Sequence, residues 1–159
     1  EESYMKWAVY FLALTRYCDR ETAQEICNRF ELAPRHQKIF CDERFAADRC
    51  LTWLERNPAV KNSKLYNELT GYKTELILYM MAATEQEQVK RSISQYITGL
   101  RYVHIALKGK DLKKMGLVPG PIYREILQAV LEAKLNGRLK TKNDEVLFAR
   151  RFIGDDQEQ

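Results

Sequence analysis

The stretch Gly109–Leu139, GKDLKKMGLVPGPIYREILQAVLEAKLNGRL, constrains this 159-residue chain more than any other. It predicts two helices joined by a glycine/proline turn. The first is short, from about Lys110 to Met115. Gly116 closes it, because glycine enters the left-handed region at little steric cost. Leu117-Val118-Pro119-Gly120-Pro121 makes the connection. The second helix runs from about Ile122 to Asn136. Pro121 takes its first position, where a missing N–H costs nothing, and Gly137 stands past its end. The open backbone N–H groups of that helix start beside Lys110, Lys113, Lys114 and Arg124, an arrangement that favours a phosphate.

Charge gathers in the same place. Residues 1–100 hold 14 Lys/Arg and 14 Asp/Glu, a balance of zero. Residues 101–151 hold 12 Lys/Arg against 5 Asp/Glu, a net +7, and residues 152–159 hold 3 acids and no base. One-sign clustering is the footprint of a polyanion-binding face, although a lysine-rich solvated surface has the same composition.

The remainder reads as helix, with no alternating apolar pattern to specify a strand. Ser3–Arg16 is rich in aromatics, and Trp7, Tyr10, Phe11 and Leu14 recur at helical spacing, the pattern of core packing. Asp19 caps a helix from Arg20 to Phe30. Pro34 opens a third helix to about Arg56, with Ile39, Phe40, Phe45, Ala46, Cys50, Trp53 and Leu54 as its buried stripe. Arg35, Lys38, Arg44, Arg49 and Arg56 fall on its solvent face, balanced by Asp42, Glu43, Asp48 and Glu55. Asn57-Pro58 breaks it. Short helices follow at Asn62–Thr70 and Lys73–Ala83, the latter apolar all round and so expected to be central. Thr84 with Glu87 predicts a capping box for a helix from Glu85 to Tyr102. Thr141 with Asp144 predicts another, for a last helix from Lys142 to Phe152. The expectation is an all-α fold: a helical body over 1–100, a smaller basic tail over 101–153 and an acidic frayed end at 154–159.

Several chemistries lack their residues. The longest apolar runs, Trp7–Leu14 and Leu76–Ala83, are about half the roughly 20 residues of a membrane helix. No secretory pattern is visible, and a first residue of Glu1 reads as a fragment or processed form. Cys18, Cys27, Cys41 and Cys50 lack the short spacing of a zinc knuckle and read as buried free thiols of a reducing cytoplasm. His36 reads as a surface residue, and His104, between Val103 and Ile105, as a partly buried one near the basic segment. No serine or cysteine has a local partner that would make it a nucleophile.

Taken together, Gly109-Lys110-Asp111-Leu112, Gly116, Pro119-Gly120-Pro121, Ile126-Leu127, Leu131 and Asn136-Gly137-Arg138-Leu139 resemble the C-terminal region of bacterial tRNA nucleotidyltransferases. These are the CCA-adding enzymes and the closely similar poly(A) polymerases. The match runs from Ile105 to Arg150; the first hundred residues are compatible with the family's helical body but carry no sharp motif. The resemblance implies a module that grips the acceptor end of tRNA, reading duplex shape and phosphates. Lys110, Lys113 and Lys114 then face the phosphates, and Gly116 and Gly120 let the backbone approach. The N–H groups of Ile122 and Tyr123 donate to a phosphate oxygen. Lys108, Arg124, Arg138, Lys140 and Lys142 extend the stripe.

The resemblance also implies what is elsewhere. The family's Gly-Ser turn and Asp-x-Asp strand, which hold the metals, do not occur in this chain. Its base-reading Glu-Asp-x-x-Arg run is absent too: Asp42-Glu43-Arg44-Phe45 and Asp48-Arg49 do not match it. Catalysis, with Mg and ATP or CTP, is thus expected of an N-terminal head domain on the same polypeptide, and no catalytic or metal-binding residue is expected in this chain. Two other readings fit the same residues. The helix–GLVPG–helix also resembles the hairpin of helix-hairpin-helix DNA-binding modules, although the flanking helices do not repeat it. A helical protein-interaction domain with solubilising lysines is the third.

Overall fold

The computed structural model describes residues 2–156, with side chains through Ile153. Every regular element among them is helical: α1 (Glu2–Leu14), α2 (Arg20–Arg29), α3 (Pro34–Gln37), α4 (Arg44–Arg56), α5 (Asn62–Leu69), α6 (Thr74–Ala83), α7 (Glu87–Thr98), α8 (Gly109–Lys114), α9 (Pro121–Leu135) and α10 (Lys142–Asp156). The all-α expectation holds. The chain divides into two compact units. One comprises the residues to Val60 together with Glu68–Ile97; the other comprises Lys61–Asn67 and the residues from Thr98 onward.

In the first unit α1 lies along α6. The aromatic stripe of α1 is only partly core. Phe11 is buried, but Trp7, Tyr10 and Leu14 are 39, 73 and 81% exposed, and the buried positions are Ala8, Phe11, Leu12 and Thr15. Likewise α6 is not enclosed all round. Leu76, Ile77, Tyr79 and Met80 are buried, whereas Leu78 and Met81 line an apolar groove with Met5, Val9 and Tyr10.

The predicted helix from Pro34 to Arg56 contains a π-helical segment, Lys38–Glu43, between α3 and α4. Such a segment changes which residues face inward. Ile39, Phe40 and Cys41 are buried in succession, and Ala47, Cys50, Leu51 and Leu54 follow on α4, while Phe45, Ala46 and Trp53 are only half-buried. Arg44, expected on the solvent face, is wholly buried. Its guanidinium donates to the carbonyls of Phe40 (3.2 Å), Arg16 (2.6 Å) and Cys18 (2.8 Å), and Asp48 lies 3.6 Å away. A buried charge needs that many partners to offset its desolvation.

Helix ends follow local chemistry. Asp19 Oδ1 accepts from the Thr22 N–H at 2.8 Å, as a cap residue should. The Thr84–Glu87 box does not form. Thr84 Oγ1 donates to Glu55 and accepts from the Gln86 N–H, Glu87 faces Lys90, and α7 begins at Glu87. α7 also stops at Thr98, and Leu100–Tyr102 is a separate 3₁₀ turn after Gly99. The Thr141–Asp144 box does form: the Thr141 N–H donates to Asp144 Oδ2 (2.8 Å) and the Asp144 N–H to Thr141 Oγ1 (3.2 Å). Of the end expected to fray, Gly154–Asp156 continue α10, and 157–159 lie outside the described residues.

His36 is not a plain surface residue. Its ring stacks on Tyr4 at 5.2 Å and meets Trp7 at 5.9 Å, and burial lowers its pKa. His104, expected to be partly buried, is exposed.

Candidate nucleic-acid interface

The second unit is built on a small apolar core. Leu107, Leu112, Ile126, Val130, Ala133, Leu139 and Ala149 are buried together, with Met115, Leu117, Ile122 and Tyr123 packed against them. Leu112 is therefore the anchor of α8, and the other residues of that short helix point outward around it. Lys110, Lys113 and Lys114 are all exposed and carry no ion pair among the described residues. The one acid of α8, Asp111, turns back: its Oδ2 accepts from the Lys108 N–H at 3.0 Å. That hydrogen bond, assisted by nearby Lys142, Lys110 and Lys114, lowers its pKa, so it stays ionised as a cap.

Helices α8 and α9 each close on a glycine. At α8 the Leu117 N–H reaches the Leu112 carbonyl (3.4 Å) and the Gly116 N–H reaches Lys113 (3.1 Å). At α9 the Arg138 N–H reaches Ala133 and the Gly137 N–H reaches Lys134, each at 2.9 Å. Paired bonds of this kind need a left-handed residue, and Gly116 (φ +91°) and Gly137 (φ +74°) supply it. Gly120 differs. It caps α9 in extended conformation, φ −176° and ψ −171°, which any residue adopts. An added Cβ there would meet only the Val118 carbonyl, at 3.9 Å.

The start of α9 is open in part. No side chain caps it, and Pro121 fills the first position. The Tyr123 N–H, expected as a free donor, already donates to the Gly120 carbonyl at 3.1 Å. The Tyr123 side chain is a tether: its hydroxyl donates to the Leu117 carbonyl at 2.9 Å, and its ring lies against Gly109. Ile122 contributes its side chain to the core.

The structure brings some of the expected basic residues together and leaves others apart. Lys142 Nζ lies 3.7 Å from Asp111 Oδ2, which sets the start of α10 beside the start of α8. Lys108, Lys110, Lys140 and Lys142 thereby surround one corner, Lys140 through its N–H to Asp144 at 3.0 Å. Arg124 instead lines a groove of about 620 Å³ with Glu125, Gln128, Glu132 and Phe152, so two carboxylates share its surroundings. Arg138 follows the far end of α9. Fourteen residues of helix and cap separate it from Arg124, about 20 Å at 1.5 Å per residue.

Residues outside the expected basic stripe do much of the positioning. Glu145 is wholly buried, and its Oε2 accepts from the Ala106 and Leu107 N–H groups at 2.8 Å each. Asn136 Oδ1 accepts from the Ser63 N–H and its Nδ2 donates to Ser63 Oγ, while Asn62 donates to the Leu135 carbonyl at 3.1 Å. The asparagine of Asn136-Gly137 therefore holds the segment 61–67, and Gly137 turns the chain.

Among the described residues no group of three or more His, Cys, Asp or Glu is placed to hold a metal, and no helix is long and apolar enough to cross a membrane. Two of the thiols, Cys27 and Cys50, are poor nucleophiles. Burial and a 3.2 Å approach to Cys41 push Cys27 up to about 12, and burial pushes Cys50 up to about 11. What the second unit presents is a lysine-bearing helix and a basic corner on a rigid core.

No protein-family model and no solved structure matches the chain. Two curated proteins do. The chain is 38% identical over 150 residues to an A-adding tRNA nucleotidyltransferase of Geobacter sulfurreducens, an alignment covering 92% of this chain and 17% of that protein. It is 28% identical over 80 residues to an A-adding tRNA nucleotidyltransferase of Halalkalibacterium halodurans, covering 50% of this chain and 19% of that protein. The chain thus spans under a fifth of the length of these relatives.

Proposed function

The chain belongs to the tRNA nucleotidyltransferase family, and on that premise we propose that it holds the acceptor–T arm of tRNA by phosphates and shape. The observation that carries this is α8. Lys110, Lys113 and Lys114 are exposed and carry no ion pair among the described residues, while Asp111 is held by its own helix cap and by Lys142. The corner formed by Lys108, Lys140 and Lys142 continues the same charge. Stacked acceptor and T helices offer a regular ladder of phosphates across a shallow groove, which point charges on a rigid helix suit better than base-reading side chains. Gly116 and the open start of α9, through Ile122, offer backbone at the turn that follows the lysine helix.

In this reading the chain is a C-terminal part. Nucleotide addition, with Mg and ATP or CTP, belongs to a head domain of the same polypeptide, and the work is done in the cytoplasm. The A-adding relatives favour ATP as the nucleotide. The test is a titration of the 159-residue chain with a labelled acceptor–T-arm minihelix and with a DNA duplex of equal length. Tighter binding of the minihelix supports the proposal. Equal binding points to a general backbone binder of the helix-hairpin-helix kind, and no binding of either points to a protein partner.

A further inference from the structure

The first unit carries a basic feature that charge counting hides. By sequence the acids along 34–56 balance the arginines. In the structure each of those acids has a partner of its own: Asp48 accepts from Tyr79 (2.6 Å) and faces buried Arg44, Asp42 pairs with Arg20, Glu43 pairs with Lys73, and Glu55 accepts from Thr84. Arg49 and Arg56 are left exposed with no ion pair among the described residues. They bracket Trp53 on one face of α4, four residues before it and three after, about 10 Å from end to end. Trp53 is half-buried and lines a shallow groove of about 360 Å³ with Asp48, Arg49, Thr52 and Arg56, the Asp48 carboxylate there being held by Tyr79 and Arg44. A second groove of about 470 Å³, lined by Cys41, Phe45, Arg49 and the paired Arg20 and Asp42, adjoins through the shared Arg49.

We propose that Arg49, Trp53 and Arg56 form a second nucleic-acid contact that takes an unpaired nucleotide. The base stacks on the Trp53 indole, and the flanking phosphates meet the two guanidinium groups. An aromatic face between two cations is the arrangement by which proteins hold single strands without reading sequence. Arginine suits the role because its planar fork grips phosphate oxygens in pairs. This contact differs in kind from the lysine helix of the second unit, which is suited to duplex, and it rests on the chain's acting on RNA.

The test uses the 159-residue chain with Trp7→Phe, which leaves Trp53 as the only indole. Its fluorescence is titrated with a blunt acceptor–T-arm minihelix and with the same minihelix carrying a single-stranded 3′ extension of four adenylates. Quenching by the extended RNA and not by the blunt one is expected. Arg49→Gln with Arg56→Gln should weaken the extended RNA at least about fivefold and flatten its log–log salt slope by about 1.4, at 0.7 for each single-strand phosphate. The same pair should leave blunt binding unchanged. Trp53→Phe should keep most of the affinity and Trp53→Leu should lose it, with thermal melts to confirm folding. Blunt binding with a silent Trp53 overturns this contact and leaves the duplex proposal standing. Quenching by the extended RNA when the blunt one fails to bind upholds this contact and defeats the duplex proposal.

Discussion

Nζ of Lys134 lies 2.6 Å from Oε1 of Glu145, whose side chain has no exposure to solvent. Lys134 is on α9 and Glu145 on α10, so the pair ties the two longest helices of the second unit. The other carboxylate oxygen holds the Ala106 and Leu107 N–H groups, which lead into α8. One buried carboxylate therefore fixes three segments, and the lysine helix is positioned by a residue that touches no lysine of α8.

Glu145→Gln should accordingly destabilise the chain by about 2 kcal/mol or more. The amide keeps one acceptor but sets an NH₂ against a donor and removes the ion pair. Urea unfolding with an unchanged m-value checks this. The proposed interface should loosen with it, so RNA binding should weaken although Glu145 is buried away from any ligand.

Gly116 and Gly120 should respond differently to alanine. Gly116→Ala forces a Cβ into φ +91° and should cost about 1 kcal/mol or more. Gly120→Ala meets no such barrier and should change stability by less than about 0.5 kcal/mol. If backbone at this turn meets phosphate, Gly120→Ala should weaken minihelix binding at nearly constant melting temperature. The two melts and two titrations separate turn geometry from ligand approach.

Glu31 is the one non-glycine at positive φ among the described residues, at +50°. It follows α2, where the Glu31 N–H reaches the Asn28 carbonyl and the Leu32 N–H reaches Cys27, the same closing pattern that glycine serves at α8 and α9. Glu31→Gly should therefore stabilise the first unit by about 0.5–1 kcal/mol. A rise in melting temperature would show it.

The caps of α8 and α10 give a pH signature. The Lys108 N–H lowers the Asp111 pKa, and the N–H groups of Thr141 and Lys140 lower that of Asp144. A carboxyl whose folded pKa is depressed binds its proton more readily in the unfolded chain. Its contribution is present above the unfolded value, about 4, and is lost as pH falls through the lower folded value. Amide resonances of Lys108 and Thr141 should thus hold steady to about pH 4 and shift only below it, while Asp111→Asn and Asp144→Asn should remove the transition.

How far these features can be read without coordinates depends on whether their cause is local. The Asp19 cap, the Thr141–Asp144 box, the Gly116 and Gly137 stops and Pro121 at a helix start each depend on a few neighbouring residues, and each is legible in the sequence. The Thr84 box fails because Thr84 still closes α6, its N–H on the Met80 carbonyl, while Glu55, far along the chain, draws its hydroxyl. Arg44 and Glu145 look like surface charges, since nothing nearby in sequence announces that distant backbone groups will surround them. The π-helical segment at Lys38–Glu43 shifts the buried stripe, a change no helical periodicity contains. At the interface the exposed lysines of α8 follow from Leu112 as a lone anchor. The grouping of Lys142 with Asp111, the separation of Arg124 and the occupied Tyr123 N–H come from packing and the local turn.

The measurement closest to the central claim is the salt dependence of minihelix binding, with wild-type chain beside Lys110→Ala/Lys113→Ala/Lys114→Ala. These side chains are exposed, so the variant should fold and melt as the wild type does. The wild type should show a steep log–log slope. The variant should bind more weakly with a slope flatter by about two to three units, at about 0.9 for each duplex phosphate that a lysine no longer neutralises. Equal affinity and equal slope for the two proteins would contradict an RNA grip on α8, and would make the lysine helix a solvated surface.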